Sequence, residues 1–291
     1  MKSGRFKFRY INAIRGAMIG FVIFLLASWF LPEVETSVEG LELILTISTF
    51  LFAIIAGFFI SRLNSRFDSI RSVIGEGDGE MLVLFKLSEM ISKRFSNRIR
   101  EVIDNFYVAA YDFELARYDL IYKATAKYYF QFWDEIKKLK ASERKEPFYT
   151  KFVDMLISSE RRRNVTSALA SERLAFGQWA VLIILAFIIV FCIFYLKTAE
   201  FYSSFLAVLL STVVVLVILL IRDLQNLIIG KYELLEESGQ EVLEFIGKKR
   251  YYHIDYLMSG FNSVPKSVKE YRVGLHEPGS ETHKIKIVKN K

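Results

Sequence analysis

IIAGFFISRLNSRFDSIR, residues 54–71, begins as a membrane helix and ends as a charged one, with no stop signal between the halves. Two phenylalanines close the apolar part, and Arg62, Arg66 and Arg71 follow within three turns. A chain that leaves a bilayer without turning is carrying one helix from lipid into water, and the position of this segment says why.

The stretch is the exit of one of four blocks that contain no Asp, Glu, Lys or Arg: 16–31, 43–61, 174–196 and 201–221. Crossing a hydrocarbon core of about 30 Å takes roughly 20 apolar residues in a helix. The last three blocks meet that length, and tilt or local thinning accommodates the first, with Trp29 at its interfacial flank. A hydrophobic fraction of 53% is too high for an ordinary water-soluble domain. The first block follows basic residues, as a signal peptide does, but Ser28-Trp29-Phe30-Leu31-Pro32 offers no small-x-small cleavage site, so it is a retained span. The expected fold is all-α: a polytopic membrane protein with four transmembrane helices, arranged two plus two, and a helical cytoplasmic domain between spans two and three.

Charge sets the orientation. Lys2, Arg5, Lys7, Arg9 and Arg15 precede span one, Glu33, Glu35, Glu39 and Glu42 follow it, and Lys and Arg are abundant between spans two and three and after span four. Positive flanks stay inside. The expected organisation is a basic cytoplasmic arm (1–15), a transmembrane hairpin (16–62), a cytoplasmic helical domain (63–173), a second hairpin (174–222), a cytoplasmic helical segment (223–275) and a disordered basic tail (276–291), in a plasma or inner membrane. The net charge of +7 suits contact with anionic lipids, and no nucleic-acid module accompanies it.

Within the central domain, apolar residues from Ile99 through Phe106, Ile121 and Phe132 to Leu139 recur mostly at three- or four-residue steps, which predicts one long amphipathic helix. Pro147 ends it, and a further helix over 148–170 leads back to span three. The glycine-rich IGEGDGEM, residues 74–81, lacks the Lys-Ser/Thr ending of a phosphate loop and the oxygen spacing of a calcium loop, so it predicts a hinge. The run Glu160-Arg161-Arg162-Arg163 is expected on a solvated face. Cys192 is a packing residue inside span three. His253, His276 and His283 lack metal-ligand spacing, so neither a metal nor another cofactor is expected.

The four blocks carry no ionisable side chain, which argues against a proton-coupled pump. No nucleophile–base pair or HExxH motif points to an enzyme. A passive pore needs only a lining and a constriction. Phe50, Ile54 and Phe58 fall at successive i+4 steps on one helical face, and the same face continues to Ser61 and Ser65. Repeated around a ring, those rungs would form an apolar collar that gates by dewetting, with a polar inner mouth. Helix packing or lipid contact would use the same stripe.

The segment also resembles the bestrophin superfamily, in particular its prokaryotic bestrophin-like membrane proteins. There the second span reads roughly S-F-V-L-G-F-Y-V, followed by T-R-W-W or, in prokaryotic members, D-R-F-W-E-A-R; here Ala53-Ile54-Ile55-Ala56-Gly57-Phe58-Phe59-Ile60 is followed by Ser65-Arg66-Phe67-Asp68-Ser69-Ile70-Arg71 at the same separation. The resemblance implies a homopentameric channel for small inorganic ions, chloride-type anions foremost. It places the pore neck on Phe50, Ile54 and Phe58. The continued helical face puts the inner mouth around Ser61, Arg62, Ser65 and Arg66; Arg62, Arg66 and Arg71 would favour anions if they face the lumen, and the alternative use of Arg66 and Arg71 is to bridge helices. The run Arg222 to Gly230 lacks the N-P-F-G-E-D sequence with which bestrophins hold calcium. A stator-like subunit built around a partner's helix, or a non-conducting scaffold or sensor, would share the span layout.

Overall fold

The computed structural model describes residues 12–31, 40–113, 117–145, 147–198, 200–228, 233–259, 262–280 and 283–290. The basic arm up to residue 11 and the acidic loop 32–39 lie outside the described residues. Among the described residues four helices are long and apolar enough to cross a membrane. The elements are α1 (Ala13–Phe30), α2 (Leu41–Ile91), α3 (Lys93–Ala110), α4 (Tyr118–Lys137), α5 (Pro147–Ser171), α6 (Phe176–Tyr195), α7 (Phe201–Gln225), α8 (Glu233–Phe245), β1 (Tyr251–His253), α9 (Ile254–Ser259), β2 (Glu270–Gly274) and β3 (Ile285–Lys289). They form two compact units, one of residues 1–65 and 173–229 and one of residues 66–172 and 230–291.

In the first unit α1 packs on α7 through small residues. Ala13 and Ala17 of α1 and Ala207 and Ser211 of α7 are buried, and a Cβ at Gly20 would already touch Val215 at 3.6 Å. Small side chains let membrane helices approach closely enough for van der Waals packing. Polar contacts close the ends: the Ala13 amide donates to Asp223 Oδ2 at 2.7 Å, and Lys197 Nζ donates to the Ser28 carbonyl at 2.7 Å near the end of α1. Lysine is well placed there, because the last carbonyls of a helix have no partner within it.

The second unit is built on one apolar core that includes Leu84 of α2, Phe95, Ile99 and Ile103 of α3, Phe132 of α4, Phe152 and Leu156 of α5, and Leu243 of α8. Here the predicted single helix is two. Ser92 caps α3, accepting from the Phe95 amide, and α3 ends at Ala110. The chain resumes as α4 at Tyr118, and the two helices pack together. The apolar rhythm survives the turn because both helices bury one face in the same core, so periodicity alone does not reveal the break. Pro147 opens α5 at its first position, where a missing N–H costs nothing.

The glycine-rich segment is not a hinge: α2 runs through it unbroken. Three interior glycines cost a helix about 3 kcal/mol relative to alanine. Side chains between them recover that. Asp78 accepts from Tyr107 Oη at 2.7 Å and from Ser238, Glu80 accepts from Ser158 at 2.9 Å and pairs with Arg162 at 2.9 Å, and Met81 enters the core.

Strands also appear where helix or disorder was expected. β1 pairs in parallel with β2 (Tyr251 opposite Arg272), and β2 pairs antiparallel with β3 (Glu270 opposite Lys289). Arg272 anchors this sheet to α3 through a bidentate pair with buried Asp104, 2.9 Å on one arm and 2.5 Å on the other. The tail from His276 therefore contains ordered backbone at Ile285–Lys289. Its alternation of Ile285, Ile287 and Lys286, Val288 is short, and only long-range pairing makes it a strand.

Candidate functional site

Rotation of α2 decides what its outer face offers. Phe52, Ala56, Phe59 and Leu63 recur at four- and three-residue steps and are buried in one cluster with Leu182, Ala186 and Ile189 of α6 and Ile221 and Leu224 of α7. Residues about half a turn away must then point out of the subunit. Phe50, Ile54 and Phe58 do so, at 64%, 53% and 61% exposed. Among the described residues no helix covers these three bulky side chains. Beside them a shallow apolar groove is lined by Ile54, Phe58, Gly177 and Val181.

The four residues expected at the inner mouth divide. Ser61, Arg62 and Ser65 are exposed. Arg66 is buried, its Nε donating to the Leu169 carbonyl at 2.7 Å and its Nη2 to the Ala170 carbonyl at 2.8 Å. Those carbonyls belong to the last turn of α5, where the helix runs out of regular i+4 donors, and Arg66 caps them beside the Glu172 amide, which donates to Leu169 at 3.3 Å. Farther along α2, Asp68, Ser72 and Glu76 are exposed. Only Glu76 lies within the supposed hinge at 74–81; Asp68 and Ser72 precede it, and three- and four-residue steps continued from Ser65 find all three.

The arginine run is not a plain solvated face either. Arg162 bridges Glu76 and Glu80, and the Arg163 guanidinium lies 3.7 Å from the centroid of the Tyr122 ring and 5.0 Å from that of Tyr129. They border a half-enclosed cavity of about 130 Å³ whose lining includes the aromatic side chains Phe106, Tyr107, Tyr111 and Tyr129. Burial pushes the Asp78 carboxyl at its wall up to about 6 and the Glu236 carboxyl up to about 8, against the stabilising hydrogen bonds from Ser238 and Asn262. Burial likewise raises the Tyr107 and Tyr111 phenols well above their ordinary value, and Tyr129 upward as well. Near pH 7 the Glu236 carboxyl and the three phenols are therefore mostly neutral, whereas Asp78 is mostly ionised and held by the Tyr107 and Ser238 hydroxyls.

The histidine spacing misled in one respect. Asp112, His276 and His283 each bring a donor atom within 4.8 Å of the others'. The carboxylate sits 164 residues from His276 in sequence, so no local motif could announce it.

With this geometry in view, a family model described as the Bestrophin-like domain matches residues 17–237. The chain belongs to the bestrophin-like family. Its fold is similar to that of a bacterial bestrophin homologue from Klebsiella pneumoniae carrying one substitution, at a TM-score of 0.60 and 14% identity over 82% of this chain and 100% of that one. A second structure of that homologue gives 0.58 and 14%, covering 81% and 98%. A single-substitution form of a membrane protein gives 0.59 and 14%, covering 81% and 99%. At such identities the likeness is one of fold. Comparison with curated protein sequences finds no match. This bestrophin-like chain is thus a predominantly helical membrane protein, as its four apolar helices require.

Proposed function

We propose that the protein is a passive ion channel formed by several copies of the chain, with α2 of each copy lining a central pore. Phe50, Ile54 and Phe58 form its neck, and Ser61 and Ser65, flanked by Arg62, form its inner mouth. One observation carries the reading: the neck residues are large, apolar and uncovered on the side of α2 opposite its packed face. Membership of the bestrophin-like family supports a pore built from self-association, and resemblance supports five subunits. A ring of such side chains excludes water when narrow and admits hydrated ions when it dilates. The positive flanks support N- and C-termini on the cytoplasmic side of the cell membrane.

Selectivity follows from the charges that face the axis. Anion conduction, the chloride-type reading, rests on Arg62 and the family resemblance. A preference for cations is favoured by a specific observation: Arg66 is withdrawn into a cap, while Asp68 is exposed on α2 one turn beyond Ser65. Reversal potentials under a salt gradient separate the two, and Asp68→Asn moves the reversal potential only in the second.

The deciding experiment is flux from liposomes containing purified protein of known stoichiometry. Phe58→Ala is expected to raise the flux several-fold without changing the melting temperature, because the ring is mostly exposed and its ring contact is with neighbouring Phe59 of the same helix. A monomer in mild detergent, with tight liposomes for both proteins, would overturn the proposal. Co-purification of a small single-span protein with no flux would favour the stator-like arrangement.

A further inference from the structure

We propose that Asp112, His276 and His283 bind a first-row divalent cation, zinc foremost, and that the ion fastens the β2–β3 hairpin to the end of α3. Asp112 follows α3 directly, His276 follows β2, and His283 precedes β3. Asp112 is fully buried, and its Oδ2 lies 2.9 Å from His276 Nε2. Ligands held at about 2.0–2.1 Å from zinc are separated by roughly 3.0–3.4 Å, so this pair already stands at nearly the separation of neighbouring ligands. The third donor completes a group whose atoms lie within 4.8 Å of one another, and closing it takes a shift of His283 of about 1–2 Å.

A second observation points to an occupant. His283 Nδ1 is buried and makes no hydrogen bond. An orphaned polar atom beside a buried carboxylate and a second imidazole calls for a partner, and a cation supplies one. The surrounding contacts hold the donors as metal sites do. Asp112 Oδ1 accepts from Tyr251 Oη at 2.6 Å, while Oδ2 meets His276 Nε2, a contact in which the ion would take the place of the bridging proton. His276 Nδ1 lies 3.5 Å from the Lys284 carbonyl, which leaves Nε2 facing inward. His253 Nε2 meets the His276 carbonyl at 2.7 Å and steadies the loop. Such outer contacts fix the tautomer and orientation of ligating side chains.

Gly274 makes the approach possible: a Cβ there would strike the Tyr251 ring at 2.8 Å and His276 Cε1 at 3.1 Å. Two imidazoles and one carboxylate suit zinc and its neighbours far better than calcium or magnesium, which prefer oxygen. Three protein ligands leave one position for water. Both histidines lie beyond residues 17–237 whereas Asp112 lies within them, so the ion would tie the chain that follows the bestrophin-like domain to the domain itself.

The test uses the full chain in mild detergent, with any affinity tag removed and metal stripped by a chelator. Calorimetric titration with zinc chloride is expected to give one ion per chain. Cobalt should show the visible absorption of a low-symmetry nitrogen–oxygen site. His283→Gln and Asp112→Asn should each weaken binding by at least about 100-fold. Zinc should slow proteolysis between β2 and β3 in the wild type and not in His283→Gln. Because Asp112 is buried and its variant could fail to fold, His283→Gln, at a partly exposed ring, carries the test alone if needed. No stoichiometric zinc binding, or binding that His283→Gln leaves unchanged, would overturn the proposal.

Discussion

The two halves of α2 are the same helix held in place by different physics. From Leu41 to Ser65 its packed face is Phe52, Ala56, Phe59 and Leu63, and its outer face is as apolar as its inner one. In lipid, exposed and packed leucine or phenylalanine differ little in solvation, so rotation is set by how closely helices fit. From Arg66 to Ile91 the packed face carries Met81, Leu84 and Phe85 together with buried Arg66, Asp78 and Glu80. There water drives burial, and each buried charge has a named partner. The comparison teaches that apolar pattern locates a membrane helix without orienting it, whereas buried polar partners orient a helix even through three glycines.

The largest expected contrast comes from the core of the second half. Leu84, fully buried, should lose about 2–5 kcal/mol of stability on replacement by alanine. Thermal melting of Leu84→Ala beside Phe58→Ala sharpens the comparison: a strong drop for the first and none for the second. Equal drops would mean that α2's outer apolar face is packed after all.

Next is pH. A carboxyl whose folded-state value lies above its unfolded one binds more protons when folded, so its contribution to stability is full at low pH and declines as pH rises. For Glu236, the decline spans the range from its ordinary 4.5 to about 8; for Asp78, from 3.8 to about 6. Melting temperature should therefore fall between pH 5 and about pH 8. Glu236→Gln, which keeps an acceptor for Asn262, should flatten the upper part of that fall and leave pH 5 unchanged. A profile identical to wild type would break the link between burial and the second unit's stability.

Smaller still is the effect of Arg66. Removing its side chain takes away the guanidinium bonds to two α5 carbonyls, a loss of about 1–3 kcal/mol. Arg66→Ala should lower the melting temperature and leave the reversal potential alone, whereas Arg62→Ala should shift the reversal potential. Least of all is Gly79→Ala, which meets open space and should stabilise the helix by about 1 kcal/mol. Stabilisation without any change in conductance would place residue 79 away from the lumen.

Span number, the helical class and the family were all legible in residues 54–71 and the four uncharged blocks, because transfer into lipid depends on composition summed along the chain. Pro147 as a boundary was legible for the same kind of local reason: a ring that excludes the N–H. The break between α3 and α4 was not, since both sides feed one core and keep one rhythm. Nor was the unbroken α2, because helix propensity at 74–81 was outweighed by Tyr107, Ser158, Arg162 and Ser238.

What the amino-acid order settled by itself is thus everything that adds up residue by residue: how many helices cross a membrane, where charge accumulates, and which side chains share one helical stripe. Tertiary structure alone decided which stripe is covered, that Arg66 caps α5 instead of facing outward, and that Asp112 meets His276 and His283. Each of those depends on a partner far away in the chain, and pairwise energy between distant residues leaves no periodic trace in the sequence around either one.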